Sequence, residues 1–161
     1  MEAAVLELEE FQTEDIMSLN HSRIINRLCV ALDKYDENFD TFPELELELV
    51  TGKCKPDVCI YPNLLVDWYN DTINYTESPL VAVEILSPKQ ALTDLTDKAF
   101  KQYFPAGVQV VWIIVPLFRT IQILLPNGDL QTIAGNEIMR DPITNIEIDL
   151  KSIFRYNSLR P

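Results

Sequence analysis

Two stretches of the chain are apolar almost without interruption, and a more polar segment separates them. Residues 80–86 contain a single carboxylate, Glu84, and residues 108–115 form the second run. Runs of this length are typical of β-strands buried on both faces of a sheet. The intervening residues 94–104 have helical spacing, with Thr93 as the predicted N-cap. Strand, helix and strand predict a βαβ crossover, and therefore an α/β fold with a mixed sheet flanked by helices.

Amphipathic segments that precede this unit predict one helix and two strands. Residues 15–35 repeat apolar positions at helical spacing, and Thr13 is the predicted cap of this helix. Residues 42–50 alternate between apolar and glutamate positions, which predicts one strand with a wet and a dry face. A turn at residues 51–53 then leads to a returning strand at residues 55–61.

The remaining segments are predicted as a loop, a hairpin and a closing element. Residues 62–79 are polar but carry aromatic side chains that either stack on bases or form a local hydrophobic patch, namely Trp68, Tyr69 and Tyr75. A hairpin is predicted around Asn127-Gly128. Residues 146–154 close the fold as a short strand or a helical turn, and the acidic residues 1–15 form an edge strand or a loose arm.

Length and composition indicate one globular unit. A chain of 161 residues with 47% hydrophobic residues is expected to form a single domain over residues 1–161. No apolar run approaches the roughly 18 residues that a membrane span needs, and the N-terminus lacks a signal-peptide pattern, so we expect a cytoplasmic protein. Three cysteines and one histidine argue against a disulfide framework and a structural zinc site.

The charge balance disfavours a protein that simply coats nucleic acid. The net charge is −12, and residues 1–15 contribute six acids and no base. An enzyme needs only a local basic surface around its site, so acidity does not exclude a nucleic-acid substrate.

Glu84 is the first candidate for chemistry. Burying an ionised carboxylate in an apolar strand costs roughly several kcal/mol of folding free energy unless the carboxylate is paired, protonated or bound to a metal. One reading is an ion pair with a neighbouring Lys or Arg, and the other is a metal ligand. Asp57 follows Pro56 on a predicted strand and would converge with Glu84 if the two strands are neighbours. Two carboxylates with a backbone carbonyl and water suit Mg²⁺ or Mn²⁺, which activates water towards phosphodiesters.

These residues also resemble a known family. Pro56-Asp57 and Glu84-Ile85-Leu86, in place of E-x-K, resemble the PD-(D/E)XK nuclease superfamily. Residues 18–155 are similar to one branch of it, the Uma-type putative restriction endonucleases. The matching positions are His21, Lys55-Pro56-Asp57-Val58, Val83-Glu84-Ile85-Leu86-Ser87-Pro88, Asp94, Lys98, Tyr103, Ala106-Gly107-Val108 and Val111-Trp112-Ile113-Ile114-Val115.

The resemblance implies a restriction-endonuclease-like fold and Mg²⁺-dependent cleavage of DNA. It implies that Asp57 and Glu84 hold the metal, with the carbonyl of Ile85 as a third ligand. The usual superfamily lysine is replaced by Leu86, and Lys98 on the following helix matches the lysine position of this branch. The alternative role of Lys98 is a solvated i,i+4 pair with Asp94, worth a few tenths of a kcal/mol.

Three further residues are weaker candidates for supporting roles. Glu46, or Glu44, adds a carboxylate to the metal or simply lies on the wet face of its strand. His21 contacts a phosphate or another site residue, or else caps its helix. Lys101 binds the DNA backbone or is solvated.

Two functional alternatives remain open at this point. The N-terminal region lacks the aromatic-Glu strand and Gly-Glu turn of the family, so the sheet is expected to lack an edge strand. A homodimer is a separate prediction. That departure, Leu86 and the acidic balance favour an inactive nuclease-fold module for binding or assembly. A phosphoesterase acting on nucleotides is the other alternative.

Overall fold

A computed structural model describes residues 17–155, and a six-stranded mixed sheet organises them. The helices and strands in chain order are α1 (Leu19–Leu32), β1 (Phe39–Pro43), β2 (Leu47–Leu49), β3 (Gly52–Cys54), β4 (Val58–Pro62), β5 (Val81–Ile85), α2 (Leu92–Lys98), β6 (Val110–Val115), β7 (Thr120–Leu124), β8 (Leu130–Ala134), β9 (Ile138–Arg140), β10 (Glu147–Asp149) and α3 (Leu150–Ile153). Within the sheet the strand order is β1-β4-β5-β6-β7-β8.

The predicted βαβ crossover and mixed sheet are confirmed. Strands β5 and β6 pair in parallel through α2, and all other neighbouring pairs of this sheet are antiparallel. Both strands are buried at every position, as their unbroken apolar sequences predict. The hairpin around Asn127-Gly128 is also confirmed as β7 and β8.

Helices cover both faces of the sheet and divide the core into two clusters. Side chains alternate along β5, so Val81, Val83 and Ile85 face the cluster beneath α1. Ala82 faces the opposite cluster, which contains Leu95 of α2. Glu84 follows the same alternation and therefore points towards α2.

The first helix starts later than predicted. It begins at Leu19, and Ser18 is its N-cap, since the Ser18 side chain accepts the His21 N–H at 3.2 Å. The predicted cap Thr13 lies outside the described residues, as does the acidic segment 1–15. A 3₁₀ turn, Asp33–Tyr35, continues α1 to the predicted end at Tyr35.

The prediction of one strand at residues 42–50 is wrong, and only its first two residues pair with the returning strand as predicted. Strand β1 ends at Pro43, which has no N–H to donate, and Glu44 adopts a left-handed conformation with φ of 51°. The alternation survives in burial, because Leu47 and Leu49 are buried, but β2 forms a small separate hairpin with β3. The returning strand β4 pairs instead with β1 and β5.

The second helix differs from the prediction at its start and in its second half. Ala91 rather than Thr93 is the N-cap, and the Asp94 carboxylate accepts the Ala91 N–H at 3.0 Å. After Lys98 the α-helix widens into a π-helical turn, Ala99–Tyr103. A short 3₁₀ turn then ends at Gly107, whose φ of 106° suits a residue without a side chain.

The remaining segments are the predicted loop with its aromatic side chains and the closing element, for which the sequence left alternatives. Residues 63–80 contain no helix or strand, in line with the predicted loop. Tyr75 packs on Tyr61 with ring centroids 5.5 Å apart, whereas Trp68 and Tyr69 are almost fully exposed. Residues 146–154 contain both the strand β10 and the short helix α3, and β9, which was not predicted, pairs with β10.

Two predictions concern the chain as a whole, namely the lack of a membrane span and the single domain. Within residues 17–155 no helix is both long and apolar enough to cross a bilayer. The single-domain organisation over residues 1–161 stays a prediction, because the structure describes neither terminus.

Candidate functional site

A cleft of about 1060 Å³ opens where β4 begins and β5 ends, which we call the cleft end of the sheet. The antiparallel register pairs Val58 with Val83, so Asp57, directly before β4, lies beside Glu84. The side chains that line this cleft and carry charge are Glu44, Glu46, Lys53, Lys55, Asp57, Glu84, Asp94, Asp97, Lys98 and Lys101, together with the ionisable His21.

Asp57 is fixed by hydrogen bonds to both of its carboxylate oxygens. The His21 Nε2 lies 2.8 Å from Oδ1, and the backbone N–H of Ile85 donates to Oδ2 at 2.7 Å. The second bond arises because β4 has not yet begun at Asp57, so its side chain takes the place of a strand partner for Ile85. The carboxylate is therefore tied to the end of β5.

Glu84 is buried and shares one oxygen between two donors. Its Oε1 lies 3.2 Å from the Lys98 Nζ and accepts a hydrogen bond from the Tyr103 hydroxyl. The pKa of Glu84 is raised to about 7. Burial raises it most, the Lys98 charge partly offsets this, and the Asp57 charge also raises it. The ion pair with a lysine, one of the two readings of this carboxylate from sequence, is thus present.

Lys98 reaches the cleft rather than serving only as a helix-surface partner. Its side chain is 21% exposed, which leaves the amine accessible from the cleft while it contacts Glu84. The Asp94 carboxylate, its alternative partner from sequence, caps the start of α2. Lys98 therefore places a positive charge directly beside the buried carboxylate.

The π-helical turn explains why Lys98 and Tyr103 meet the same carboxylate. In this turn the Phe104 N–H bonds to the carbonyl of Ala99, five residues earlier. Residues five apart in sequence therefore come onto one side of the helix, where an α-helix would separate them. The Lys98 Nζ lies 5.9 Å from the centre of the Tyr103 ring.

Tyr103 is the residue that sequence reasoning missed as part of the site. Its helical spacing with Leu95 and Ala99 indicated only a buried apolar face, and all three are indeed buried. A buried tyrosine needs a partner for its hydroxyl, and a buried Glu84 needs donors. A buried hydroxyl that needs an acceptor and a buried carboxylate that needs donors were the signal that could have paired Tyr103 with Glu84. Burial and the Glu84 charge raise the pKa of Tyr103 well above its ordinary value.

His21 is buried beside Asp57 and is the first residue of α1 to face the cleft. Burial by itself lowers the pKa of His21, but the hydrogen bond and charge of Asp57, with smaller effects of Glu84 and Glu44, outweigh it and leave the pKa raised. Among residues 17–155 nothing hydrogen-bonds to its buried Nδ1. The sequence alternative of a simple cap is wrong for the ring, because only the backbone N–H contacts the cap Ser18.

The weaker candidates line the rim of the cleft. Lys101 is highly exposed and pairs with Asp97 at 3.6 Å. Glu46 is exposed, and the Glu44 backbone N–H donates to the Asp57 carbonyl at 3.0 Å. Cys54 also lines the cleft, and burial raises the pKa of its thiol to about 11, so it is a neutral thiol near pH 7.

The donor set fits a hard divalent cation held by few protein ligands. Asp57 and Glu84 supply two carboxylates at one place, next to the backbone of Ile85. In the described part of the chain no group of three or more His, Cys, Asp or Glu side chains is arranged to hold a metal. Mg²⁺ typically binds through one or two carboxylates and keeps several waters, so such a group is not required. The arrangement can orient two carboxylates and one amine around a hydrated cation.

Comparisons with known proteins give a match to a family model and another to a solved fold. A family model described as "Uma2: Putative restriction endonuclease" matches residues 10–151. A comparison with curated proteins gives no match. Among solved structures, the chain is similar to a putative nuclease belonging to DUF820 from Anabaena variabilis ATCC 29413, with a TM-score of 0.74 and 20% identity over 86% of this chain and 82% of that chain. At this identity the likeness concerns the fold alone.

Proposed function

Since the chain belongs to the Uma2 family of putative restriction endonucleases, as its sequence pattern predicted, we propose that it is a metal-dependent endonuclease that hydrolyses DNA phosphodiester bonds. The observation that carries the proposal is the convergence of Asp57, Glu84 and Lys98 in one cleft, with the Lys98 amine 3.2 Å from Glu84. The nuclease-like fold supports the same reaction class.

Asp57 and Glu84 would hold Mg²⁺ or Mn²⁺, with the backbone carbonyl of Ile85 as the third protein ligand. When bound, such an ion polarises a phosphodiester and lowers the pKa of a coordinated water. The two protein contacts of Asp57 keep its carboxylate aligned with the end of β5, so that this ligand costs little reorganisation.

In the nuclease superfamily a lysine at the end of the strand usually supplies a positive charge. Here Lys98 on α2 supplies it. Leu86, at the position of that strand lysine, is partly buried against the core beneath α2 and has no polar group to offer. The Lys98 amine reaches Glu84 from α2, at the oxygen that the Tyr103 hydroxyl also contacts. A fixed ammonium at this point stabilises negative charge that develops on the phosphate oxygens.

Tyr103 and His21 act as positioning residues. The Tyr103 hydroxyl donates to the Oε1 of Glu84, the same oxygen that the Lys98 amine contacts. His21 holds Asp57 from the α1 side. Both contacts restrict rotation of the carboxylates, which is what pre-organises a metal site.

Cleavage of supercoiled plasmid DNA in Mg²⁺ tests the proposal. Asp57→Ala and Glu84→Ala are expected to abolish cleavage, and Lys98→Ala to reduce it about 10²–10³-fold, the usual effect of removing one charge-stabilising donor. Glu48→Ala and Lys34→Ala remove exposed charges outside the cleft and serve as matched controls. Equal cleavage by the wild type, Asp57→Ala and Glu84→Ala would remove the proposal.

One observation favours an inactive binding or assembly module instead. Glu84 already has two donors, Lys98 and Tyr103, and so is satisfied without a cation. Calorimetric titration with Mn²⁺ separates the two functions. The nuclease is expected to bind Mn²⁺ through Asp57 and Glu84, whereas wild-type protein that takes up no Mn²⁺ would identify the inactive module.

A further inference from the structure

The charge of the cleft does not explain how a nucleic acid would be held. Six carboxylates and four lysines line it, so before any cation binds the cleft is acidic. The whole chain carries a net charge of −12. Binding of a phosphate backbone depends on cations that replace its counterions. A basic surface near the cleft is therefore needed.

A second, smaller pocket supplies such a surface. It has a volume of about 280 Å³ and is lined by three cations and four uncharged residues, which we call the basic pocket. Its residues are Arg119, Gly135, Asn136, Leu150, Lys151, Phe154 and Arg155. Among the described residues this lining contains no carboxylate, in contrast to the cleft.

The sheet topology places the basic pocket at the cleft end of the sheet. Strand β6 runs parallel to β5, so both end there, and Val115 of β6 pairs with Thr120 of β7. Arg119 directly precedes Thr120, which in turn pairs with Ala134, the residue before Gly135. The catalytic candidates on β5 and Arg119 on β7 are separated by one intervening strand, or about 10 Å at the usual strand spacing.

Helix packing brings the other two cations to the same end of the sheet, on the face covered by α1 rather than the face towards which Glu84 points. The short helix α3 packs against α1, the helix that carries His21 into the cleft. Its first N–H, from Leu150, donates to the carbonyl of Glu137 at 3.2 Å, which ties α3 to the turn after β8. Lys151 and Arg155 are both exposed on this helix and just beyond it.

Two features of the β6–β7 turn are typical of a binding surface. Arg119 has a φ of 52°, a left-handed conformation that is uncommon for a long side chain and often marks functional positions. Phe118, its neighbour in sequence, is 69% exposed. Exposed aromatics next to cations are the usual platform for stacked bases.

We propose that the basic pocket anchors the phosphate backbone of a nucleic-acid strand whose scissile bond lies in the cleft. The proposal rests on the nuclease function for the position of the scissile bond, and its partner is a polyphosphate chain rather than an acidic protein. Arg119, Lys151 and Arg155 each pair with a phosphate oxygen about three nucleotides from the cleft, since about 10 Å corresponds to about three repeats of a strand with about 3.4 Å rise per base.

Binding measured without metal tests the anchor separately from the chemistry. Fluorescence anisotropy of a short labelled DNA duplex in EDTA would be followed from about 50 to about 200 mM NaCl. Lys151→Ala/Arg155→Ala is expected to weaken binding and to reduce the slope of log K against log salt by about 2, one for each lost phosphate contact. The matched control Lys34→Ala/Arg140→Ala removes the same charge outside both pockets and is expected to bind like the wild type.

A single variant guards against misfolding as an explanation. Arg119→Gly removes one of the three cations, so the salt slope is expected to fall by about 1, and its circular-dichroism spectrum, measured alongside, shows whether the variant is folded. Unchanged slopes in both basic-pocket variants would overturn the proposal, as would polyglutamate that competes equally well with DNA at the pocket. Salt-dependent binding with these effects but without plasmid cleavage would sustain the anchor and remove only the nuclease function.

Discussion

The buried carboxylate of Glu84 makes a quantitative prediction about stability and pH. Its pKa rises from 4.5 to about 7 on folding, chiefly because burial disfavours the charged form. A group with a raised folded pKa binds its proton more tightly in the folded state, so its contribution to stability is lost as pH rises from the unfolded to the folded pKa. A rise of this size corresponds to about 3 kcal/mol of unfolding free energy between roughly pH 4.5 and 7.

Glu84→Gln replaces this titrating group with a neutral one of the same shape. The variant and the wild type should have nearly equal unfolding free energies at pH 4.5, where Glu84 is protonated. Above pH 7 the variant should be more stable by up to about 3 kcal/mol, because the wild type then buries a charge that Lys98 only partly compensates.

Urea unfolding in EDTA across this pH range measures the difference. The titration of His21 affects both proteins and cancels from the comparison, except for the part of its raised pKa that the Glu84 charge causes. Glu48→Gln, an exposed change, serves as the control and should show a difference within about 0.5 kcal/mol at every pH. A difference between wild type and Glu84→Gln that does not change with pH would refute the reasoning.

Three other substitutions test the contacts around the site. Tyr103→Phe removes a donor to Glu84 and should cost about 1.5–3 kcal/mol of unfolding free energy at pH 8, where Glu84 is ionised, but much less at pH 5. His21→Ala removes the side-chain contact of Asp57 and should lower Mn²⁺ affinity about 10–100-fold in calorimetry, and unchanged affinity would argue against a positioning role. Gly107→Ala places a side chain at a φ of 106° and should destabilise the fold by about 1 kcal/mol or more, which its Tm would reveal.

Sequence patterns predicted the central part of the fold well because burial on both faces leaves a clear signal. The apolar runs around Glu84 and at residues 108–115 identified β5 and β6, and the helical segment between them fixed their parallel pairing. The pairing of the earlier strands was not predictable from alternation. The left-handed conformation of Glu44 interrupts the extended backbone but not the alternation of leucine and glutamate in the sequence. Strand β2 therefore leaves the sheet while its leucines stay buried.

That the candidate residues lie together was predicted better than their contacts were. Asp57, Glu84, Lys98 and His21 lie in one cleft, as the sequence and the family resemblance implied. Tyr103 was missed because an α-helical period places it away from Lys98, and only the π-helical turn brings the two together. Such turns depend on tertiary packing and leave no reliable mark on hydrophobic periodicity. The cytoplasmic location and the homodimer stay predictions.

Crystals of the wild-type protein soaked in Mn²⁺ test the central claim most directly. An anomalous peak between the carboxylates of Asp57 and Glu84, at ordinary oxygen–metal distances and lost in Glu84→Gln crystals, is the result expected here. Crystals that take up Mn²⁺ elsewhere while the amine of Lys98 stays on Glu84 with no ion between the two carboxylates would contradict it.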